Sequence, residues 1–293
     1  MDGRDPNINA RRLGLYLRRT REIVELDYGQ AAAVLGCDAD WLARVETGFA
    51  WPTPADVERM LERYGVRAAK VAGVMIDLAE RPYGPAWIVP YLDELEPLLR
   101  DVLISEAEAS EIRTYGTYRI PDLAQCERYA RRAGQAAAPH HLDGGLDPGA
   151  AWELLDHRQR RPCIPGRFVD IIIDAWTLNR IPYRDVLTEQ VRHLLDLSDR
   201  RGFRVRLVPE DTTPYEHYAN PFDVLAFPRV GDRISLAPDA VGIRFIPDQT
   251  EHWEEIEREI AASVADSRAL LLARLTDPRT LALPLQGETR ARG

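Results

Sequence analysis

The chain has 293 residues, a formal net charge of −9, 45% hydrophobic and 29% charged residues, enough for two domains with cores of their own. No stretch approaches the roughly 18 apolar residues of a membrane span, and the polar start MDGRDPNINARR carries no signal-peptide pattern. Cys37, Cys126 and Cys163 are an odd, scattered set without metal-ligand spacing, so reduced thiols in a cytoplasmic protein are expected rather than a disulfide framework.

The first element is an amphipathic helix over about residues 9 to 25. Leu13, Leu17, Ile23 and Val24 mark its apolar side, and Arg11, Arg12, Arg18, Arg19 and Arg21 its polar surface. Residues 27 to 48, DYGQAAAVLGCDADWLARVETG, then read as two short capped helices joined by a glycine turn. Asp27 takes the N-cap with Gln30 closing a capping box, and Ala31, Ala32 and Leu35 form a small-residue packing face that Gly36 terminates. Asp38 caps a second helix whose Leu42 and Val45 point inward, and Gly48 takes the left-handed position that stops it. Thr53, Pro54 and Asp56 open a fourth helix carrying Val57, Leu61 and Tyr64, which Gly65 closes.

Four capped helices in 66 residues, with the ending LARVETG, resemble the lambda-repressor-like, XRE-type DNA-binding domain. The stretch EAEASEIRTYGTYRIPDLAQCERYARRAG, the run ending FRVRLVP and the segment NPFDVLAFP are similar to the WhiJ-like regulators of actinobacteria, whose C-terminal domain has no agreed biochemical function. The resemblance implies a regulator, often with a small acidic protein partner and sometimes antitoxin-like. The chain departs from that class in two places. Pro121, Asp122, Leu123, Ala124, Gln125 and Cys126 stand where the class has Pro-Gly-Leu-Leu-Gln-Thr, and Tyr28 replaces the usual glutamine.

A helix-turn-helix puts the early residues of its second helix against base edges and uses helix ends and polar side chains to hold phosphates. Ala39, Asp40 and Ala43 are therefore the expected base readers, with Asp40 able to accept from cytosine N4. Trp41 is either a contact to a thymine methyl or sugar wall or a half-buried packing residue. Tyr28, Gln30, Arg44 and Thr47 are the expected phosphate contacts. Glu46 reads as a structural partner for an arginine of the first helix such as Arg21. The first 66 residues hold nine arginines and no lysine against eleven Asp and Glu, an acidic balance that opposes non-specific DNA binding. Arg11, Arg12, Arg18, Arg19 and Arg44 are expected to gather the positive charge on one face.

Beyond residue 66, a helix from Ala68 to Glu80 ends at Pro82, and YGPAW at 83 to 87 reads as a hinge. Tyr91 to Gly116 reads as one broken or two consecutive helices with EAEAS as a solvated surface, and Pro121 to Arg132 as another helix. A loop at 134 to 149 precedes a helix from Asp147 and Pro148 to about Arg161. The period then changes. FVDIIIDAW reads as a strand with Val169, Ile171 and Ile173 on one face and Asp170, Ile172 and Asp174 on the other. A helix over about 183 to 201 follows, then strands FRVRLV, FDVLAF, RISLA and GIRFI and a final helix from about Glu251 to Leu275. The expected fold class is multidomain α and α/β: a helix-turn-helix domain at 1–66, a helical connecting region at 67–134, and a mixed α/β sensor or interaction domain at 135–293.

No phosphate-binding loop, dinucleotide turn, zincin helix or nucleophile elbow is present, and Lys70 is the only lysine. Asp170 with Asp174, and His217 beside Glu216, are the residues an acid/base site would use. His140 and His141 near Asp143 are the ones a metal would use. Capping and surface roles are more ordinary for all of them, so no catalytic residue, cofactor or metal is expected. The leading reading is a sequence-specific regulator that binds double-stranded DNA as a homodimer, with a C-terminal domain that dimerises, senses a small-molecule effector or binds a partner. The alternatives are an antitoxin-like interaction module with a small partner protein, and an enzyme with a vestigial helix-turn-helix.

Overall fold

A computed structural model describes residues 7–81, 88–91, 94–136, 146–160, 166–212, 220–227, 233–239 and 242–276. The chain divides into two compact units, Met1–Ala109 with Ala226–Asp232, and Ser110–Leu225 with Arg233–Gly293. Among the described residues, no helix is long and apolar enough to cross a membrane.

The N-terminal unit is helical: α1 (Ile8–Ile23), α2 (Tyr28–Leu35), α3 (Ala39–Glu46), α4 (Pro54–Arg63), α5 (Ala69–Glu80) and α6 (Pro97–Glu108). Leu13 and Leu17 of α1, Leu35, Leu42, Val45, Val57, Leu61 and Tyr64 close one core, to which α5 adds Val74, Met75 and Leu78. The predicted caps are present. Asp27 and Gln30 form a capping box, Asp38 accepts from the amides of Asp40 and Trp41, and Thr53 and Asp56 form a second box behind Pro54. Gly36, Gly48 and Gly65 all have positive φ, the left-handed conformation that ends a helix at least cost.

Two assignments on α1 are corrected. Ile23 is 81% exposed, whereas Arg21 is buried. The inward face continues from Leu13 and Leu17 by whole turns, which carries it through Arg21 and past Ile23. The EAEAS stretch is not a solvated surface either. Ala107 and Ala109 are buried, and Glu108 Oε1 accepts from Asn9 Nδ2 at 2.7 Å while Oε2 accepts from Arg12 Nη1 at 3.0 Å.

The C-terminal unit is a mixed α/β domain on a six-stranded sheet ordered β3-β2-β1-β4-β5-β6. Its strands are β1 (Glu111–Gly116), β2 (Phe168–Asp174), β3 (Phe203–Val208), β4 (Phe222–Ala226), β5 (Arg233–Asp239) and β6 (Gly242–Ile246). β1, β2 and β3 run parallel, with Ile112 opposite Val169 and Val169 opposite Phe203, while β5 and β6 are antiparallel. The helices are α7 (Glu127–Ala136), α8 (Pro148–Arg160), α9 (Ala175–Asn179), α10 (Arg184–Asp199), α11 (Thr250–Glu259) and α12 (Val264–Thr276). One sheet face packs Tyr115, Ile172, Val208, Phe222 and Val224 against Trp253, Ile256 and Ile260 of the α11 segment.

Three predicted helices change form here. Residues 111 to 116 are the strand β1 instead of the end of a helix, because α6 stops at Glu108 and the central sheet position buries Thr114 and Tyr115. The expected helix from Pro121 is a 3-10 turn at Asp122–Ala124 followed by α7. The last helix is broken into α11 and α12. At the break, Ala262 N–H donates to Leu207 O at 2.9 Å, and Leu207 N–H donates to Ser267 Oγ at 2.9 Å. These bonds satisfy both backbone groups of Leu207 on the outer side of β3, an edge strand that would otherwise offer them for pairing. Ser263 Oγ accepts from Asp266 N–H at 3.1 Å and restarts the helix.

Candidate nucleic-acid interface

The second helix of the helix-turn-helix is held from behind by two devices. The first is a close backbone approach to α1. A Cβ at Gly14 would lie 2.6 Å from the carbonyl oxygens of both Val45 and Glu46, so only glycine allows this crossing. The second is a buried ion pair. Arg21 Nε and Nη2 donate to Glu46 Oε1 and Oε2 at 2.7 and 2.8 Å, Nη1 donates to Leu26 O at 2.7 Å, and the guanidinium lies 4.2 Å from the ring centroid of Tyr28. The bidentate bond to Glu46 raises the Arg21 pKa above its ordinary value against the opposing effect of burial. The pairing expected of Glu46 is thus present, and it ties together α1, α3 and the approach to α2.

With Leu42, Val45 and Glu46 turned inward, the helix presents Ala39, Asp40, Ala43, Arg44 and Thr47 on its outer side. All are exposed except Ala43, which is half-buried. These spacings of one, four, five and eight residues from Ala39 define one helix face. Arg44 makes a 3.4 Å contact to Phe49 O, and Thr47 Oγ1 donates to Ala43 O at 2.8 Å. Trp41 is half-buried against the core of this unit, which is the packing role. Tyr28 is also half-buried and stacked on Arg21. Gln30 is exposed, with its side-chain oxygen accepting from Asp27 N–H at 3.0 Å. Asp38 Oδ1 accepts the first free amides of α3 at 2.8 and 3.1 Å, so this helix start is already supplied with an anion.

Phe49 is a surface residue that the sequence reading passed over. It is 59% exposed, and the Ala50 N–H bond to Arg44 O at 3.0 Å folds its turn back onto the end of α3. The signal was an aromatic directly after the helix-stopping Gly48.

A helix-turn-helix domain model matches residues 12–72, and a model described as a domain of unknown function, DUF5753, matches residues 99–273, more than half of the chain. The chain belongs to the DUF5753 family. No curated protein and no solved structure matches it.

Three arginines of the expected basic face of this DUF5753 protein are paired within the chain. Arg11 pairs with Asp101, whose Oδ1 also accepts from Ile8 N–H at 2.7 Å. Arg12 pairs with Glu108 and lies 4.1 Å from the Phe227 ring centroid. Arg18 pairs with Glu22 at 2.8 Å. Of the five arginines expected on one face, Arg19 and Arg44 are the two without a salt bridge among the described residues.

Within the DUF5753 domain, Asp170 and Asp174 do not form a carboxyl pair. Four residues along one strand separate them by about 13 Å. Asp170 is fully buried and accepts from Arg204 Nε and Arg206 Nη2, each at 2.9 Å. Asp174 caps α9 by accepting from Trp176 N–H at 2.9 Å, and burial pushes its carboxyl up. Cys37 and Cys126 are free thiols, with burial pushing Cys126 up to about 11, well away from a reactive thiolate. Among the described residues, no group of histidine, cysteine and carboxylate side chains could hold a metal ion. His140, His141, Asp143, His217, Glu216, Cys163 and the segment 83 to 87 lie outside the described residues.

Proposed function

We propose that this chain is a sequence-specific, DNA-binding transcriptional regulator of XRE type and WhiJ-like kind, acting in the cytoplasm as a homodimer. Its helix α3 reads the major groove, and its DUF5753 domain receives a small-molecule effector or a small acidic protein partner and performs no catalysis. The observation that carries the reading is the outward face of α3. Ala39, Asp40, Ala43, Arg44 and Thr47 stand together there on a helix fixed from behind by Gly14 and the Arg21–Glu46 pair. Short side chains at the first positions let the helix approach base edges, and two-fold half-sites suit a dimer.

Because Arg12 is held by Glu108, and Arg11 and Arg18, though half-exposed, are paired with Asp101 and Glu22, their charge toward phosphates is reduced. Affinity should therefore fall only gently with salt. The test is selection of genomic fragments by the purified full-length protein at moderate salt, beside Asp40→Ala and Arg44→Ala. We expect a two-fold-related motif that changes at one position in Asp40→Ala. Arg44→Ala should weaken binding to all sequences alike and reduce the salt slope by about one. An Arg44→Ala protein that kept its affinity but lost discrimination would move Arg44 from the backbone to the bases. Absence of enrichment at every salt concentration would overturn DNA reading and assign the α3 face to a protein partner.

A further inference from the structure

The two most exposed aromatic side chains of the described C-terminal unit lie on neighbouring loops at one end of its parallel strands. Tyr118, 56% exposed, lies two residues beyond β1, and Trp176, 51% exposed, lies two residues beyond β2. The strands are neighbours with Gly116 opposite Ile173. Thr177 Oγ1 donates to Thr117 O at 3.0 Å, so the loops that carry the two rings touch. Gly116 makes the fold-back possible, because a Cβ there would lie 2.7 Å from the Pro121 ring.

Arg180, four residues after Trp176, has its guanidinium 5.8 Å from the Tyr118 ring centroid. It is exposed and makes no salt bridge among the described residues. The nearby carboxylates are otherwise engaged. Glu210 pairs with Arg274, which also donates to Asn179, and Asp174 is buried in its cap, where it accepts from Trp176 N–H. Arg180 is thus an exposed cation beside the Tyr118 ring, with the buried Asp174 as a charge partner without a salt bridge.

The strand order gives the place its meaning. The chain steps outward from β1 through β2 to β3, then crosses back to β4 on the other side of β1. In open α/β sheets ligands bind outside the carboxyl ends of the strands that flank such a reversal, which here are β1 and β4, so Tyr118 borders it and Trp176 stands one strand away. Tyr118 and Trp176 follow the carboxyl ends of β1 and β2.

We propose that Tyr118, Trp176 and Arg180 form a binding site for a small planar aromatic acid, its ring laid on the aromatic faces and its carboxylate paired with the guanidinium. Offset ring stacking and a two-point arginine–carboxylate bond are the interactions these groups provide. The site deepens, and rests on, the effector reading of the DUF5753 domain, and it is tested without DNA so that the two readings fail separately.

The experiment is calorimetric titration of the full-length protein with indole-3-carboxylate, with neutral indole and cationic tryptamine as comparators. We expect saturable one-to-one binding of the acid, with indole and tryptamine weaker by about tenfold or more. Arg180→Gln and Trp176→Ala, both surface changes, should each weaken the acid by about tenfold or more with unchanged melting temperature. Variants that bind as tightly as the parent, tryptamine binding better than the acid, or no heat at about 5 mM ligand would overturn the site. If the acid binds while fragment selection enriches nothing, the site stands and the DNA reading falls.

Discussion

Glu46→Ala is expected to destabilise the N-terminal unit by about 3–5 kcal/mol and to abolish DNA binding, although Glu46 touches no base. The cost arises from what is left behind. Arg21 is 6% exposed and directs two of its nitrogens at Glu46. Removing the carboxylate leaves a guanidinium in the core without an anion, held by Leu26 O and Tyr28 alone among the described residues. Arg21→Lys is not a conservative change either, because an ammonium cannot make the paired bonds, reach Leu26 O and stack on Tyr28 together. The double variant Arg21→Met, Glu46→Leu removes both charges, and apolar replacement of a buried pair is often neutral or stabilising. It should recover most of the lost stability. Hydrogen exchange of α1 and α3 amides in the full-length protein reads this out. Slow exchange preserved in Glu46→Ala, or equal losses in the single and double variants, would show that the pair does not hold α3 in place.

The contrast between this pair and the sheet explains which parts of the chain are legible before folding. Helices α2, α3 and α4 were readable because their limits are written within a few residues of each end: Asp27 with Gln30, Asp38, Thr53 with Asp56, and the glycines at 36, 48 and 65. The pairing of Glu46 was readable too, since an acidic residue on an otherwise inward helix face needs a cation. An arginine at position 21 suggests solvent, and only the burial of its partner brings it inward. β1 was hidden for another reason. Its six residues include Arg113 and Glu111, and their strand conformation depends on neighbours more than fifty residues away in sequence. The break between α11 and α12 likewise depends on the edge of β3. The Ser263–Asp266 cap was a local signal for it, set inside an otherwise continuous apolar pattern. The loops at the ends of β1 and β2 carried no motif. Only the register of the parallel strands brings Tyr118, Trp176 and Arg180 together.

Asp170→Asn should cost the C-terminal unit about 3–5 kcal/mol, and this outcome separates a structural carboxylate from a chemical one. Asp170 is fully buried on β2, opposite Arg204 and two residues from the register position of Arg206 on β3. Its oxygens accept from Arg204 Nε at 2.9 Å and from Arg206 Nη2 at 2.9 and 3.1 Å. Glu257 of α11 reaches the same two arginines, at 2.9 Å from Arg206 Nη1 and 3.4 Å from Arg204 Nη2. The network therefore stitches two strands to the helix that covers them. Asparagine keeps the shape but supplies no charge, leaving two guanidinium groups side by side with part-exposed Glu257 and, for Arg204, Glu111 as the balancing anions. A carboxylate serving acid/base chemistry would behave in the opposite way, since its amide would leave the fold intact and remove only turnover. Denaturant unfolding of the full-length protein, followed by hydrogen exchange in β2 and β3, distinguishes these cases. Unchanged protection in Asp170→Asn would remove the structural assignment and return Asp170 to consideration as a reacting group. The expected loss of protection would fix it as the electrostatic centre of the parallel half of the sheet, whose strand ends carry the aromatic site.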